Sequence, residues 1–189
     1  CRPQLIRVLD LLPKKRQNLL FSATVTEDIE ELVTTFFYFF LKIEAARTGT
    51  PLENIIQSGY NVPNFNTKAN LLEYLLRKDD TMSKVIVFTA TKHLANQLFK
   101  YIEKKFSAKV SVIHSDKSQP QRFDAVNKFH SGELRILIAT DVIARGIDIA
   151  EVSHVINFDT PEIPEDYIHR IGRTGRADKN GNAIIFISK

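Results

Sequence analysis

With 189 residues, 43% hydrophobic, 25% charged and 10% aromatic, the chain is long enough for one domain, or one domain plus part of another, with apolar side chains enough to bury a core. That makeup excludes a disordered, collagen-like or disulfide-built chain, and the single cysteine, Cys1, excludes an intrachain disulfide and a Cys-based zinc site. Net charge is +4; residues 1–83 carry 10 Lys/Arg against 10 Asp/Glu, so the whole excess and all five His lie further on, a bias that suits a polyanionic partner.

The histidines never fall at metal-ligand spacing, so no metal site is expected. The longest apolar stretch, Phe36 to Leu41 (FFYFFL), is far below the roughly 18 residues a membrane span needs. No membrane contact is expected, and a reducing compartment, the cytoplasm, is the expected home. The opening Cys-Arg-Pro shows no apolar leader and reads as part of a longer protein.

Taken along the chain, Gln4 to Leu12 has helical spacing and Pro13 closes it. Gln17 to Phe21 (QNLLF) reads as a short apolar strand running into Ser22-Ala23-Thr24. Thr26 is placed to cap a helix whose first turn holds Glu27, Asp28 and Glu30 at the positive end of the dipole. Leu41 to Ala46 reads as another strand. Residues 47–54, with Gly49 and Pro51, are the linker candidate, dividing residues 1–46 from a domain over 55–189.

Beyond the linker, strands are predicted at Ile55 to Asn61, Lys84 to Thr89, Lys109 to His114, Arg135 to Ala139, His154 to Asp159 and Ala183 to Ser188. Helices are predicted at Thr67 to Arg77, Lys92 to Phe106, Gln119 to His130 and Pro164 to Ile171. The strands VIVF, ILIA, VINF and AIIFI are nearly continuous apolar runs, as when helices cover both faces of a sheet. The alternation predicts an α/β fold with a parallel sheet.

Ligands of such sheets bind at the C-terminal ends of the strands. Here VIVF runs into Thr89-Ala90-Thr91, VSVI into His114-Ser115-Asp116 with Ser118 next, and ILIA into Thr140-Asp141. Helix capping explains each one singly. Three on one edge suggest a track for a phosphate backbone, because helix N-termini present free N–H groups to anions. Gln119 and Arg122, at i and i+3, share a helix face beside it.

His169 to Arg176 (HRIGRTGR) puts three arginines, a histidine and two glycines in eight residues. Glycines weaken a helix, and clustered guanidiniums repel unless an anion faces them. Arg suits phosphate oxygens, and a salt-bridged surface turn is the plainer alternative. Ala139 to Ile149 (ATDVIARGIDI) adds Arg145, Gly146 and Asp148; Gly146 alone suits a helix C-cap, and Asp148 suits a sugar hydroxyl.

Together these strings resemble the C-terminal RecA-like half of a DEAD-box RNA helicase, over essentially the whole chain. SAT at Ser22 to Thr24 is similar to motif III, VIVFTAT at Val85 to Thr91 to motif IV, Gln119 with Arg122 to the QxxR motif, ATDVIARGIDI to motif V and HRIGRTGRA to motif VI. Motifs V and VI, in order and about 20 residues apart, carry the specificity. PKKRQNLLFSAT and VPNFNTKANLLEYLL lean toward the bacterial RhlE-type subgroup.

The resemblance implies residues 1–46 as the end of a first helicase domain and 55–189 as the second. It implies ATP with Mg2+ as cofactor. Arg173 and Arg176 would serve as arginine fingers, with Gly146 and Asp148 also at the nucleotide. In other phosphate-transfer enzymes such a finger contributes roughly 10³ to 10⁵ in rate. Thr89, Gln119, Arg122, Thr140 and Arg145 would hold RNA phosphates and sugars with little sequence preference. Ser22, Thr24, His169 and Arg170 would couple the chain to the N-terminal RecA-like domain, the second implied partner.

The sequence departs from the family at Ser115, where Gly is usual, and at FFYFFLKIEA, where an Asn-Pro segment is usual. No phosphate loop and no DEAD tetrad occur, so the chain alone is expected not to hydrolyse ATP. An apolar QNLLF strand without its sheet predicts loose packing of residues 1–46, or pairing between two copies. The alternative function is a stand-alone RNA-binding or regulatory module without ATPase activity.

Overall fold

The computed structural model describes residues 2–22, 27–43, 52–141, 149, 151–175 and 180–188. The chain falls into two compact units, residues 1–46 and 47–189.

The first unit contains α1 (Arg2–Leu11) and α2 (Glu27–Phe36), the latter with Glu27, Asp28 and Glu30 in its first turn. Arg16 closes the end of α1 by donating to Leu12 O at 3.3 Å and Pro13 O at 3.0 Å. The strand predicted at Gln17 to Phe21 is not formed, since 17–22 are irregular; of the strand predicted at Leu41 to Ala46, residues 41–43 are irregular and 44–46 lie outside the described residues. A strand needs a paired neighbour to satisfy its backbone, and here Asn18 Nδ2 donates instead to Phe36 O at 2.9 Å. Among the described residues of this unit only Leu32 is buried, while Phe21 is 89% exposed.

The second unit is an open sheet of six parallel strands among the described residues: β1 (Ile55–Asn61), β2 (Val85–Phe88), β3 (Val110–Ile113), β4 (Ile136–Ala139), β5 (His154–Asn157) and β6 (Gly181–Ile187), in the order β1-β6-β5-β2-β4-β3. The crossovers hold α3 (Phe65–Lys78), α4 (Lys92–Phe106), α5 (Gln119–His130) and α6 (Pro164–Ile171). Three of these helices begin and end at the predicted residues; α3 starts two residues earlier than Thr67 and runs one past Arg77.

Strand alternation sends successive side chains to opposite faces. Val85, Val87, Ile136 and Ile138 join one core with Leu72 of α3 and Leu98 of α4. Ile86, Phe88, Leu137 and Val155 join the other with Phe129 of α5 and Ile171 of α6. Both faces are covered, which is why the strands read as unbroken apolar runs. No described helix is long and apolar enough to cross a membrane.

Candidate functional site

The connections after neighbouring strands β2 and β5 leave for opposite faces, α4 on one and α6 on the other. In open α/β sheets that divergence opens a crevice at the strand ends. Here the chain's own ions fill it. Arg170, only 1% exposed, donates Nε and Nη2 to the two Asp141 oxygens at 2.6 and 2.7 Å, and Nη1 to Asn157 Oδ1 at 3.1 Å and Asp159 O at 2.8 Å. Its guanidinium stacks over Phe88, 5.3 Å from the ring centroid. Helical side chains lean toward the helix N-terminus, so a residue at the end of α6 reaches back to the strand ends.

The expectation that Arg170 reaches another domain is therefore corrected. Its planar fork is committed to a bidentate carboxylate in its own unit, and it serves to hold α6 on the sheet. The salt-bridged alternative holds for Arg170, with the bridge buried rather than at the surface.

Two threonines also differ from expectation. Thr89 is fully buried, and its hydroxyl donates to Thr91 O at 3.3 Å; Thr140 is buried as well. Both continue the inward rows of their strands, Thr89 after Val85 and Val87 and Thr140 after Ile136 and Ile138, so their side chains do not line an outer track. The exposed residues at the β2 end are Ala90 and Thr91.

The helix starts are capped by side chains, as the plainer reading had it. Thr91 Oγ1 accepts from Leu94 N at 3.2 Å, and Ser118 forms a reciprocal box with Gln121. Gln119 is exposed and Arg122 half-buried, and they meet at 3.3 Å. Arg122 also donates to Lys117 O and Ser115 O, both at 2.9 Å, closing the 115–117 loop onto α5.

Under that loop His114 is buried with both ring nitrogens engaged: Nδ1 accepts from Asp116 N at 3.3 Å, which leaves Nε2–H for Asn96 Oδ1 at 3.0 Å. Burial pushes the His114 pKa down, and Lys117 adds to it. Lys92 holds Asp116 at 3.0 Å and keeps its carboxyl below the usual range.

At the far end of α6, Gly172 ends the helix and the turn is pinned beside the start of β5. Arg173 O accepts from Val152 N at 3.2 Å, and Thr174 Oγ1 donates to Val152 O at 2.5 Å. Gly175 has φ +67°, a left-handed conformation that favours glycine, and a Cβ on Gly181 would come within 2.6 Å of Thr174. Arg173 and His169 are half-buried, and Ser22 of the first unit is exposed. Thr24, Arg145, Gly146, Asp148 and Arg176 lie outside the described residues, as does the Thr26 cap. No cluster of three metal-ligating side chains occurs among the described residues.

Lys68, Asn157 and Asp159 went unnoticed in the sequence. A charged residue inside an amphipathic helix face, as Lys68 is between Phe65, Ala69 and Leu72, was the available signal.

The parallel order and the strand-end loops define a RecA-like helicase C-terminal domain. Residues 66–178 match the model of the helicase conserved C-terminal domain. DEAD-box ATP-dependent RNA helicase 14 of Arabidopsis thaliana is 37% identical over 185 residues, covering 97% of this chain and 30% of that protein. The structure of S. cerevisiae Dbp5 bound to RNA and ADP BeF3 superposes with a TM-score of 0.80 at 34% identity, over 99% of this chain and 49% of that one. The C-terminal domain of the DEAD-box protein Dbp5 gives 0.66 at 35% identity, over 73% of this chain and 79% of that one. The chain belongs to the DEAD-box RNA helicase family, as its C-terminal helicase domain. It spans 17% to 30% of the length of the curated relatives it matches.

Proposed function

We propose that this chain works as half of an ATP-dependent RNA helicase in the cytoplasm, holding single-stranded RNA by its backbone at the strand ends and presenting arginines to ATP and Mg2+ held by an N-terminal RecA-like domain. The observation that carries the reading is the separation of two arginines, Arg122 and Arg173, at opposite ends of the strands. Gln119, Arg122 and the Ala90–Thr91 turn lie at the C-terminal strand ends, whereas Arg173 sits past the other end of α6, its carbonyl bonded to Val152 N just before β5. An RNA-binding module alone has no use for a second arginine-bearing turn at the opposite ends of the strands. RNA bent across both halves no longer fits a duplex, which would be the unwinding step.

Arg122 is already fixed by two carbonyls, so it meets phosphate without losing side-chain freedom on binding. Arg173 and Arg176 would stabilise charge on the transferring phosphoryl group, with Gly146 and Asp148 at the nucleotide sugar. Arg145 joins the RNA contacts in this reading, whereas Thr140, its side chain buried, does not, and Thr24, Ser22 and His169 make the contacts between domains. The RhlE-type leaning rests on its two segments alone, beside curated relatives from Arabidopsis. Pairing of two copies through residues 17–21 would cover the exposed Leu19 and Phe21; a monomer by light scattering removes it.

The deciding experiment is RNA-stimulated ATP hydrolysis by the complete protein. Arg173→Ala and Arg176→Ala should each lower kcat by roughly 10³-fold or more while leaving RNA affinity near wild type. Unchanged hydrolysis in both variants would leave this half as an RNA-binding module that takes no part in ATP hydrolysis as the better account.

A further inference from the structure

One carboxylate in the crevice between β2 and β5 ties together three elements. Asp159, two residues past β5, accepts from Lys68 Nζ of α3 on Oδ1 and from the backbone N–H of Ala90 on Oδ2, both at 3.0 Å. Its own carbonyl accepts from Arg170 Nη1 of α6 at 2.8 Å, and Arg170 O in turn accepts from Arg173 N at 3.1 Å. The side chains of Lys68 and Asp159 are 7% and 17% exposed, and Lys68 Nζ lies 5.5 Å from the Phe158 ring centroid.

We propose that Asp159 is a positioning residue that sets the Ala90–Thr91 turn at a fixed height against α6, and so fixes the spacing between the RNA surface and the turn that carries Arg173. The inference rests on the function proposed above. Chemically, a carboxylate is required because it accepts from two donors at once. An amide of the same size turns its NH2 group toward either Lys68 or the Ala90 N–H, and two donors then face each other. The Ala90 bond matters because Thr91 is bound mainly within its own turn and helix, through Leu94 N and Thr89 Oγ1. Phe158 N and Asp159 N donate to Phe88 O at 2.9 and 3.4 Å, and among the described residues the Asp159 carboxylate extends that link to the turn itself, on the opposite side of the point where the two loops diverge. Arg170, anchored independently on Asp141, carries the constraint into α6.

Lys68→Met first removes the buried cation, so that Asp159 can be changed without stranding a charge. On that background Asp159→Asn keeps an acceptor for the Ala90 N–H, and Asp159→Ala keeps none. Amide exchange at Ala90 and Thr91 is read on this chain without RNA or nucleotide, and KM for a single-stranded oligouridylate is read from ATP hydrolysis by the complete protein.

The Asn double variant should match Lys68→Met in both readouts, whereas the Ala double variant should exchange about tenfold faster at Ala90, the factor of one lost hydrogen bond, and raise KM in the same direction. Should the Ala double variant fail to fold, Ala90→Pro deletes the donor instead and must raise KM likewise. Equal exchange in the Asn and Ala variants, or rescue of exchange without rescue of KM, overturns the proposal. A wild-type protein that shows no RNA-stimulated hydrolysis overturns the function proposed above and the coupling with it, and the exchange data then still separate that failure from a missing tether.

Discussion

Replacing Arg170 with Met keeps the length and apolar stem of the side chain and deletes its charge. Four hydrogen bonds go: two to Asp141, one to Asn157 and one to the Asp159 carbonyl. Part of that loss is offset, because Met carries no guanidinium to desolvate. What remains is the cost of stranding acceptors, about 1–3 kcal/mol for each one sealed from water. Asp141 is 30% exposed and rehydrates, so the stranded group is Asn157 Oδ1, fully buried, with the half-buried Asp159 losing a donor to its carbonyl as well. The sum lies at the low end of a broken buried pair, about 3 kcal/mol. For a chain of this size that lowers Tm by roughly 6 to 12 °C.

Calorimetry or circular dichroism measures it, with Arg77→Met as the control. Arg77 pairs with Glu73 while 53% exposed, so its loss should cost less than about 1 kcal/mol. Adding Asp141→Leu to Arg170→Met should recover little of the loss, because the Asp141 carboxylate rehydrates once its partner is gone. Equal melting of the Arg170 and Arg77 variants would refute the claim that a buried guanidinium holds α6 to the strand ends.

Acid should weaken the second unit before its carboxylates titrate. Burial lowers the pKa of both His114 and His154, more than Asp79 raises the latter. The unfolded chain therefore takes up protons first: stability is full above the ordinary histidine value of about 6.5 and falls as pH drops through it toward the folded values. Tm between neutral and mildly acidic pH should decline less steeply in a His114→Gln, His154→Gln variant. Gly181→Ala should destabilise by about 1–3 kcal/mol, since its Cβ meets Thr174 at 2.6 Å; an unchanged urea midpoint would count against that packing. Arg122→Ala frees the carbonyls of Ser115 and Lys117, both in an accessible loop, so RNA affinity in fluorescence anisotropy should fall while melting shifts little.

The four helices and six strands described in the second unit were legible because apolar spacing at 3.6 and at 2 is dictated by burial on both faces, and because Thr91 and Ser118 mark helix starts by their own chemistry. QNLLF was misleading because strand formation depends on a paired neighbour, which no local pattern supplies. Thr89 and Thr140 could have been assigned inward by counting parity along Val85-Val87 and Ile136-Ile138; hydroxyls at a strand end drew the functional reading instead. The Lys68–Asp159 pair joins residues 91 apart. Lys68 is marked only by its place on an apolar helix face and Asp159 by nothing, and only the strand order β5-β2 brings the two together. Arg170 carried a recognisable motif, but its burial follows from the tilt of a helical side chain rather than from the motif.

The sheet ends on one side at β1, which hydrogen-bonds to β6 and has no strand beyond it among the described residues, with Ile56 standing 65% exposed. Open edges of this kind template the addition of further strands, and natural proteins guard them with charge. Expression yields of the isolated unit should thus be governed by this border rather than by its interior. Lysine at position 56 is the change to make first when a preparation precipitates.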